Sequence, residues 1–206
     1  MRMLALLALV LGLAGPAGAA ELDLTLSTGA GKPVSDAVVM VRPDAGHGSA
    51  RLAGPFVMAQ KDTQFQPYVL IVPVGAEVSF PNLDPFHHHV YSFSKAKTFE
   101  LKLYGQDQTR KVTFDKPGVV ALGCNIHDNM AAYIRVVDTP FAARTAAGAA
   151  VVRDLPPGPA TVTIWHPFLK APDNEITRRV TLPASGALRL SVSGDLKPSR
   201  LQRGAY

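Results

Sequence analysis

The chain has 206 residues, of which 47% are hydrophobic and 18% are charged, and its formal net charge is +5. This composition excludes a disordered or low-complexity protein and supplies enough apolar side chains for one large or two small domains. The positive charge is spread along the chain, and no block of Lys and Arg with interleaved aromatic residues occurs. A nucleic-acid partner is therefore not expected.

The first element in chain order is a predicted secretory signal peptide over residues 1–20. Arg2 supplies a basic start, an apolar stretch runs from Leu4 to Leu13, and small residues at positions 17–19 form a cleavage site. The apolar stretch is too short to span a membrane, and no later segment reaches spanning length. The sequence therefore predicts an exported, periplasmic protein without a membrane span.

Apolar and polar residues alternate with a period of two along almost all of the remaining chain, which is typical of half-buried strands. Turn segments rich in Gly and Pro separate these stretches, and no helical period is sustained. Many short strands of this kind predict an all-β sandwich or barrel. The predicted strands are Glu21–Ser27, Ala37–Val41, Tyr68–Val74, Glu77–Phe80, His88–Phe93, Phe99–Tyr104, Arg110–Phe114, Val119–Cys124, Ala132–Val137, Thr161–Trp165, Ile176–Leu182 and Leu188–Val192.

A change of pattern near Asp138 suggests a division of the chain. We expect residues 21–138 to form the main β-domain and residues 139–194 a small β-sandwich, with a further strand at Ala149–Arg153. The alternative is that the later strands extend the first sheet, because so few strands make a thin core. Residues 195–206 are predicted to be a loose basic tail.

The single cysteine of the sequence, Cys124, opens a Cys-x2-His-x2-Met run that continues to His127 and Met130. A lone cysteine cannot form an internal disulfide. Thiolate, imidazole and thioether together favour copper, and two histidines, one cysteine and a weak axial methionine are typical of blue-copper electron-transfer sites. The sequence therefore predicts a copper site with three ligands from one loop and a fourth from a neighbouring strand.

Other interpretations of these side chains are weaker. A lone cysteine is often a buried apolar residue, but polar residues between the three candidates disfavour a core role. Zinc is disfavoured because methionine is a poor zinc ligand. No serine-hydrolase, zinc-protease or phosphate-loop motif occurs, so no enzyme is predicted.

Other histidines and aromatic residues have simpler roles: His47 and His166 are expected to be exposed or structural, and Tyr91, Phe93 and Tyr104 to be core or cross-strand residues.

Three consecutive histidines upstream, His87 to His89, offer the missing ligand. Strand alternation puts His88 and Val90 on one face of the strand. It puts His87, His89 and the aromatic residues that follow on the other face. By hydrophobicity the aromatic face resembles a core face, which favours His89 or His87 as the ligand.

Longer phrases around these residues resemble type 1 copper cupredoxins of the plastocyanin and amicyanin kind, and the short ligand loop is similar to that of amicyanin. Together the phrases look like bacterial exported proteins labelled methylamine-utilisation or plastocyanin-like. The resemblance implies a Greek-key β-sandwich and covers roughly residues 56–138. The phrases that carry it are Val78–Asn82, His88–Ser94, Phe99–Tyr104, Phe114–Gly118 and Gly123–His127.

The resemblance also implies a ligand set for one type 1 copper ion per chain: His88, Cys124, His127 and Met130. In such proteins the first histidine ligand lies four residues after the Asp of an Asn-x-Asp pair and two before a valine. Asp84 and Val90 meet both spacings only with His88, which leaves His89 beside the site. Met130 is implied as the axial ligand and His127 as the point where electrons enter and leave.

The resemblance as a whole implies a periplasmic electron carrier, not an enzyme. It would exchange single electrons with redox proteins such as a dehydrogenase or a c-type cytochrome, and we expect a monomer. The alternative is a copper-storage or surface-interaction module. Further along the chain, Leu155–Pro159 and Thr163–Pro167 resemble a carboxypeptidase-regulatory or transthyretin-like β-domain.

Overall fold

The computed structural model of the protein describes residues 19–47, 50–127 and 129–198. Most of the predicted signal peptide and the tail beyond residue 198 lie outside the described residues. Within the described ranges, no helix is long and apolar enough to cross a bilayer. The fold is all-β, as the alternation of the sequence predicts.

Every predicted strand is present to within a few residues at its ends. Four strands of only two or three residues were not predicted, because an alternating pattern cannot be recognised over so short a stretch. A short 3₁₀ helix spans Pro172–Asn174. The strands are β1 (Ala20–Ser27), β2 (Val38–Pro43), β3 (Phe56–Val57), β4 (Ala59–Lys61), β5 (Gln64–Gln66), β6 (Val69–Pro73), β7 (Ala76–Pro81), β8 (His88–Ser94), β9 (Lys97–Tyr104), β10 (Thr109–Phe114), β11 (Gly118–Gly123), β12 (Ala131–Val137), β13 (Ala142–Arg144), β14 (Ala149–Leu155), β15 (Gly158–Trp165), β16 (Glu175–Leu182) and β17 (Gly186–Ser193).

Strands β3 to β12 form a β-sandwich, which we call the inner unit (residues 56–137). One sheet has the order β6-β12-β11-β8-β9, and the facing sheet has the order β10-β7-β3. The hairpin β4-β5 lies beside them. Side chains from both sheets meet in one apolar cluster that includes Phe80, Val90, Phe114, Leu122 and Ile134. Burial of each such side chain contributes about 1.5–3 kcal/mol to folding, before the loss of conformational entropy is counted.

The remaining strands form a second sandwich, the outer unit (residues 20–43 and 142–193), with sheets β14-β1-β17 and β13-β2-β15-β16. The expected division at residue 138 is therefore wrong for the first two strands, which pair with late strands and not with the inner unit. Strand pairing between distant segments completes the apolar faces of β1 and β2, and the local pattern cannot reveal it. The alternative, in which the late strands extend the inner sheets, does not hold either.

A third apolar cluster joins the two units. It contains Val38 and Met40 of β2, Trp165 of β15, and Val69 and Val137 of the inner unit. The start of the predicted tail is also bound to the outer unit, since the Lys197 N–H donates to Phe168 O at 2.6 Å. These four described residues of the tail, 195–198, are thus not loose.

The two faces of β8 differ sharply in burial, and this decides which histidine faces the core. His88, Val90 and Ser92 are at most 1% exposed, whereas Phe93 on the opposite face is 82% exposed. The expectation that the aromatic face is the core face is therefore wrong. Of the two roles expected for Phe93, core or cross-strand, the structure shows the second, because Phe93 pairs with Thr98 of β9. Tyr104, in contrast, is buried at 1% exposure, as expected.

Candidate metal centre

Two segments bring the candidate ligands together at one end of the inner unit. His88 is the first residue of β8, and Cys124 directly follows β11. The loop after Cys124 is closed by a hydrogen bond from the Met130 N–H to His127 O at 3.0 Å, and β12 begins at the next residue. The β-sheet therefore anchors both ends of the loop, because β11 is paired with β12 from Gly118 to Gly123.

Three donor atoms of these residues lie close to one another. Cys124 Sγ is 4.0 Å from His88 Nδ1 and 3.8 Å from His127 Nδ1, and all three donors lie within 4.8 Å of each other. The centroids of the two imidazole rings are 5.1 Å apart. His88 and Cys124 are buried and His127 is partly exposed. The arrangement is a small, mostly dry cluster with one edge at the surface.

The spacing of these atoms fits a single first-row metal ion. Metal bonds of about 2.3 Å to sulfur and about 2.0 Å to nitrogen, the lengths typical of zinc, place trigonally arranged donors about 3.7 Å apart. The observed separations of 3.8 and 4.0 Å are close to this value. A thiolate with two imidazoles suits copper or zinc, and softer sulfur ligands shift the preference toward copper.

Asp84 determines which nitrogen of His88 is free. Its Oδ2 is 2.7 Å from His88 Nε2, so the neutral imidazole donates from Nε2 and keeps its lone pair on Nδ1, the atom that faces Cys124. A carboxylate behind a ligand histidine is a common arrangement at metal sites, where it orients the ring and raises its basicity. The spacing of Asp84 and His88 is visible in the sequence, but this hydrogen bond is not.

A tight turn of the β4-β5 hairpin holds Asp84 in place. The backbone N–H groups of Asp62 and Thr63 donate to the two oxygens of its carboxylate at 2.7 and 3.0 Å. Burial raises the pKa of Asp84, but the hydrogen bonds from His88, Thr63 and Asp62 outweigh burial, so the pKa lies below its usual value. Both turn residues have positive φ, 55° and 57°, which is strained for side chains other than glycine. The hairpin was missed from sequence because its strands are so short.

Asn82 fixes the segment between Asp84 and His88. Its side-chain oxygen accepts from the Asp84 N–H at 3.0 Å, and its amide nitrogen donates to Phe86 O at 2.8 Å and Tyr104 O at 3.0 Å. Asn82 is fully buried, so these bonds satisfy an amide that would otherwise destabilise the core.

Met130 lies at the other end of the loop with only 2% of its surface exposed. It belongs to the same apolar cluster as Cys124. The structure thus puts Met130 in the core cluster to which Cys124 also belongs, and its coordination of a metal stays a prediction.

The other histidines lie apart from this cluster. His89 is buried on the opposite face of β8, where its Nε2 is 2.9 Å from Glu100 Oε1. His87 and His47 are exposed. His166 is buried, its Nδ1 accepts the Phe168 N–H at 3.2 Å, and burial lowers its pKa to about 4. Its role is therefore structural, in keeping with the sequence-based expectation.

An aromatic residue not identified from sequence covers the partly exposed edge of the cluster. The ring of Phe86 lies 5.1 Å from the ring of His88 and 5.6 Å from that of His127, measured between centroids. Phe86 is 41% exposed, and Leu83 and Ile126 nearby in sequence are each 48% exposed. The surface around His127 therefore carries exposed apolar side chains.

Comparison with known proteins gave matches among solved structures alone. No protein-family model matches the chain, and no curated protein does. A copper-containing nitrite reductase from Thermus scotoductus SA-01 is 30% identical over 40% of this chain and 22% of its own, with a TM-score of 0.39. A reduced Cu(I) form of an amicyanin variant is 17% identical over 48% of this chain and 98% of its own, with a TM-score of 0.38.

A purple cupredoxin from Nitrosopumilus maritimus is 20% identical over 39% of this chain and 96% of its own, with a TM-score of 0.35. The chain thus spans less than a quarter of the nitrite reductase and nearly the whole length of the two smaller proteins. Because every TM-score is below 0.5, the proposals below depend on the side chains of the site and not on these likenesses.

Proposed function

We propose that this protein is a type 1 copper electron carrier with one copper ion per chain. The ligands would be His88 Nδ1, Cys124 Sγ and His127 Nδ1, with Met130 as the weak axial ligand. The observation that supports this most directly is a set of three close donor atoms: the buried sulfur of Cys124 and one nitrogen each of His88 and His127. Soft sulfur and imidazole donors of this kind accommodate both Cu(I) and Cu(II).

Copper supplies the one-electron couple when it is bound, and the residues of this chain supply a rigid site for it. Asp84 orients His88, the paired strands β11 and β12 hold the loop, and burial of His88 and Cys124 excludes water. A site that barely changes shape needs little reorganisation on electron transfer, and hydrogen bonds to the ligands tune its potential.

The partly exposed edge of His127 is the proposed point of electron entry and exit. The exposed side chains of Phe86, whose ring contacts His127, and of the adjacent Ile126 give a partner an apolar contact surface next to this imidazole. Partners would be redox proteins, such as a dehydrogenase or a c-type cytochrome. The predicted signal peptide supports a periplasmic location, and we propose a monomer that transfers electrons without turning over a substrate itself.

The test is the colour and voltammetry of the copper-loaded protein. We expect an intense visible band from thiolate-to-Cu(II) charge transfer and a reversible one-electron couple. A colourless protein that binds only Cu(I) would instead indicate copper storage.

Cys124→Ser should abolish the band, because a hydroxyl cannot replace the thiolate, while far-UV circular dichroism confirms that the β-fold is kept. A visible band that persists in Cys124→Ser would refute the type 1 assignment.

A further inference from the structure

A second feature of the inner unit lies on the face of β8 that carries Tyr91 and Phe93, opposite to the face of His88. It is a cavity of about 290 Å³ on the outer face of the β8-β9 hairpin. We call it the hairpin cavity. Tyr91 and Phe93 of β8 stand directly opposite Glu100 and Thr98 of β9, and Asn125 of the ligand loop closes one end.

The lining of the hairpin cavity combines aromatic and polar groups. The rings of Tyr91 and Phe93 are 5.2 Å apart between centroids, and Phe93 is 82% exposed, the highest value among the exposed large apolar residues of the described chain. Glu100 is half exposed, and Asn125 is exposed. Ring faces beside a carboxylate and an amide suit a small planar molecule that also donates hydrogen bonds.

Tyr91 connects the hairpin cavity to the metal ligands. An idealised Cβ on Gly123 would lie only 2.7 Å from Cζ and Oη of Tyr91, so no residue other than glycine fits without displacing the ring. Tyr91 and Gly123 are also strand-pairing partners. The Tyr91 ring therefore lies against the peptide segment that leads directly into Cys124.

We propose that the hairpin cavity binds a single-ring hydroquinone, which reduces the copper centre through Tyr91. This inference rests on the proposed function and adds to its protein partners a small-molecule electron donor, whose electrons enter through Tyr91 and not through His127. The volume of the cavity is near the lower limit of about 300 Å³ for small-molecule sites. It therefore suits a molecule with one ring and not a protein partner. The hydroxyl groups of the hydroquinone donate to Glu100 and Asn125 while its ring stacks on Phe93.

The redox step balances with two protein molecules. One hydroquinone loses two electrons and two protons in becoming a quinone. Each electron reduces one Cu(II) centre to Cu(I), so each hydroquinone reduces two copper-loaded chains. Both protons pass to solvent at the open side of the cavity.

The test follows the loss of the Cu(II)-thiolate band by stopped flow with excess hydroquinone under anaerobic conditions. Binding before electron transfer makes the observed rate level off as the hydroquinone concentration rises. Phe93→Ala should raise the half-saturating concentration roughly five- to tenfold through the lost ring contact. Leu103→Ala is the matched control, because Leu103 is another exposed apolar residue of the same hairpin, 55% exposed, outside the cavity lining. It should leave the saturation curve unchanged.

Two further measurements separate the possible failures. Hexacyanoferrate(II), an outer-sphere reductant too polar for the cavity, should reduce Phe93→Ala at the wild-type rate. Titration calorimetry with the metal-free protein should detect hydroquinone binding to wild type. It should detect none with Thr98→Trp, because the larger side chain fills the cavity. A rate that stays linear in hydroquinone, equal slowing of both reductants in Phe93→Ala, or no calorimetric binding would overturn the inference. Binding without any cupric band would leave the cavity assignment standing and refute the proposed function.

Discussion

The inner and outer units have the same sandwich architecture but very different interiors. The outer core consists almost entirely of Leu, Val, Ile and Ala, with Phe141 as its one aromatic residue. The inner unit buries polar side chains, among them Gln60, Asn82, Asp84, His88 and His89. In the described ranges, the three buried polar side-chain atoms without a hydrogen-bond partner all belong to the inner unit: Gln60 Oε1, His89 Nδ1 and Arg135 Nε.

This difference suggests a division of roles, in which the outer unit contributes mainly stability and the inner unit carries the candidate site. Each unsatisfied buried polar group costs about 1–3 kcal/mol, a cost that the outer unit avoids. Because the units share the cluster around Trp165, the apolar outer unit can stabilise a neighbour that buries the candidate metal ligands. The following variants test that division, beginning with the largest expected effect.

His88→Ala and His89→Ala form a matched pair of adjacent buried histidines on opposite faces of β8. The first should lose the charge-transfer band and most of the copper affinity, because Nδ1 of His88 faces Cys124. The second should keep both, since His89 pairs with Glu100 away from the thiolate. Copper titration followed by visible absorption measures the band and the copper affinity of both variants. Loss of the band in His89→Ala alone would contradict the assignment.

Ile164→Ala opens a cavity in the outer core and should lower the free energy of unfolding by about 2–5 kcal/mol without shifting the visible band. Because the units share an apolar cluster, we expect one cooperative transition in urea. Trp165, the only tryptophan in the sequence, lies in that cluster and reports on it by fluorescence. Separate midpoints for Trp165 fluorescence and the copper band would show that the units unfold independently.

His166 should make the fold sensitive to acid. Burial lowers its pKa from 6.5 to about 4, so between these values the unfolded chain binds a proton that the folded chain does not. The contribution of neutral His166 to the free energy of unfolding is fully present above pH 6.5. It is lost as the pH falls toward 4, and the loss amounts to roughly 3 kcal/mol.

Urea unfolding of the metal-free protein at several pH values measures this loss for His166. His166→Asn keeps an acceptor near the Phe168 N–H and should flatten the pH dependence. An equal acid slope in the variant would assign the effect to other groups.

Met130→Gln should have the smallest effect on the protein as a whole. If Met130 is the axial ligand, copper stays bound and the reduction potential falls, because an oxygen donor favours Cu(II). Voltammetry of the variant beside wild type measures the change. An unchanged potential and spectrum would place Met130 outside the coordination sphere.

The sequence predicted the strands well because alternation is a local property. β1, for example, alternates between buried and more exposed positions along its whole length, and its pattern is visible in the sequence. The pairing partners of β1 cannot be predicted from this local pattern, because β14 and β17 lie more than a hundred residues away. The assignment of residues 20–43 to the wrong unit has this cause.

At the site, the candidate ligands could be predicted from the sequence, but the residues that hold these ligands in position could not. Cys124, His127 and Met130 share one loop, so their spacing alone suggested a metal. The choice of His88 needed a resemblance, because aromatic residues made the exposed face of β8 look like a core face. The turn at Asp62 and Thr63 holds Asp84 through backbone N–H groups, and these leave no side-chain motif in the sequence.

The parallel pairing of the first and last strands has a consequence for how the chain is made. Synthesis proceeds from the N-terminus, so β1 and β2 emerge long before β14 to β17, their partners. Residues 56–137, by contrast, have all of their sheet partners once β12 has been synthesised. The inner unit should therefore fold first, before the two apolar strands β1 and β2 have partners for their edges. During that interval the nascent chain is most open to mispairing with another copy, and chaperone protection matters most for its earliest residues.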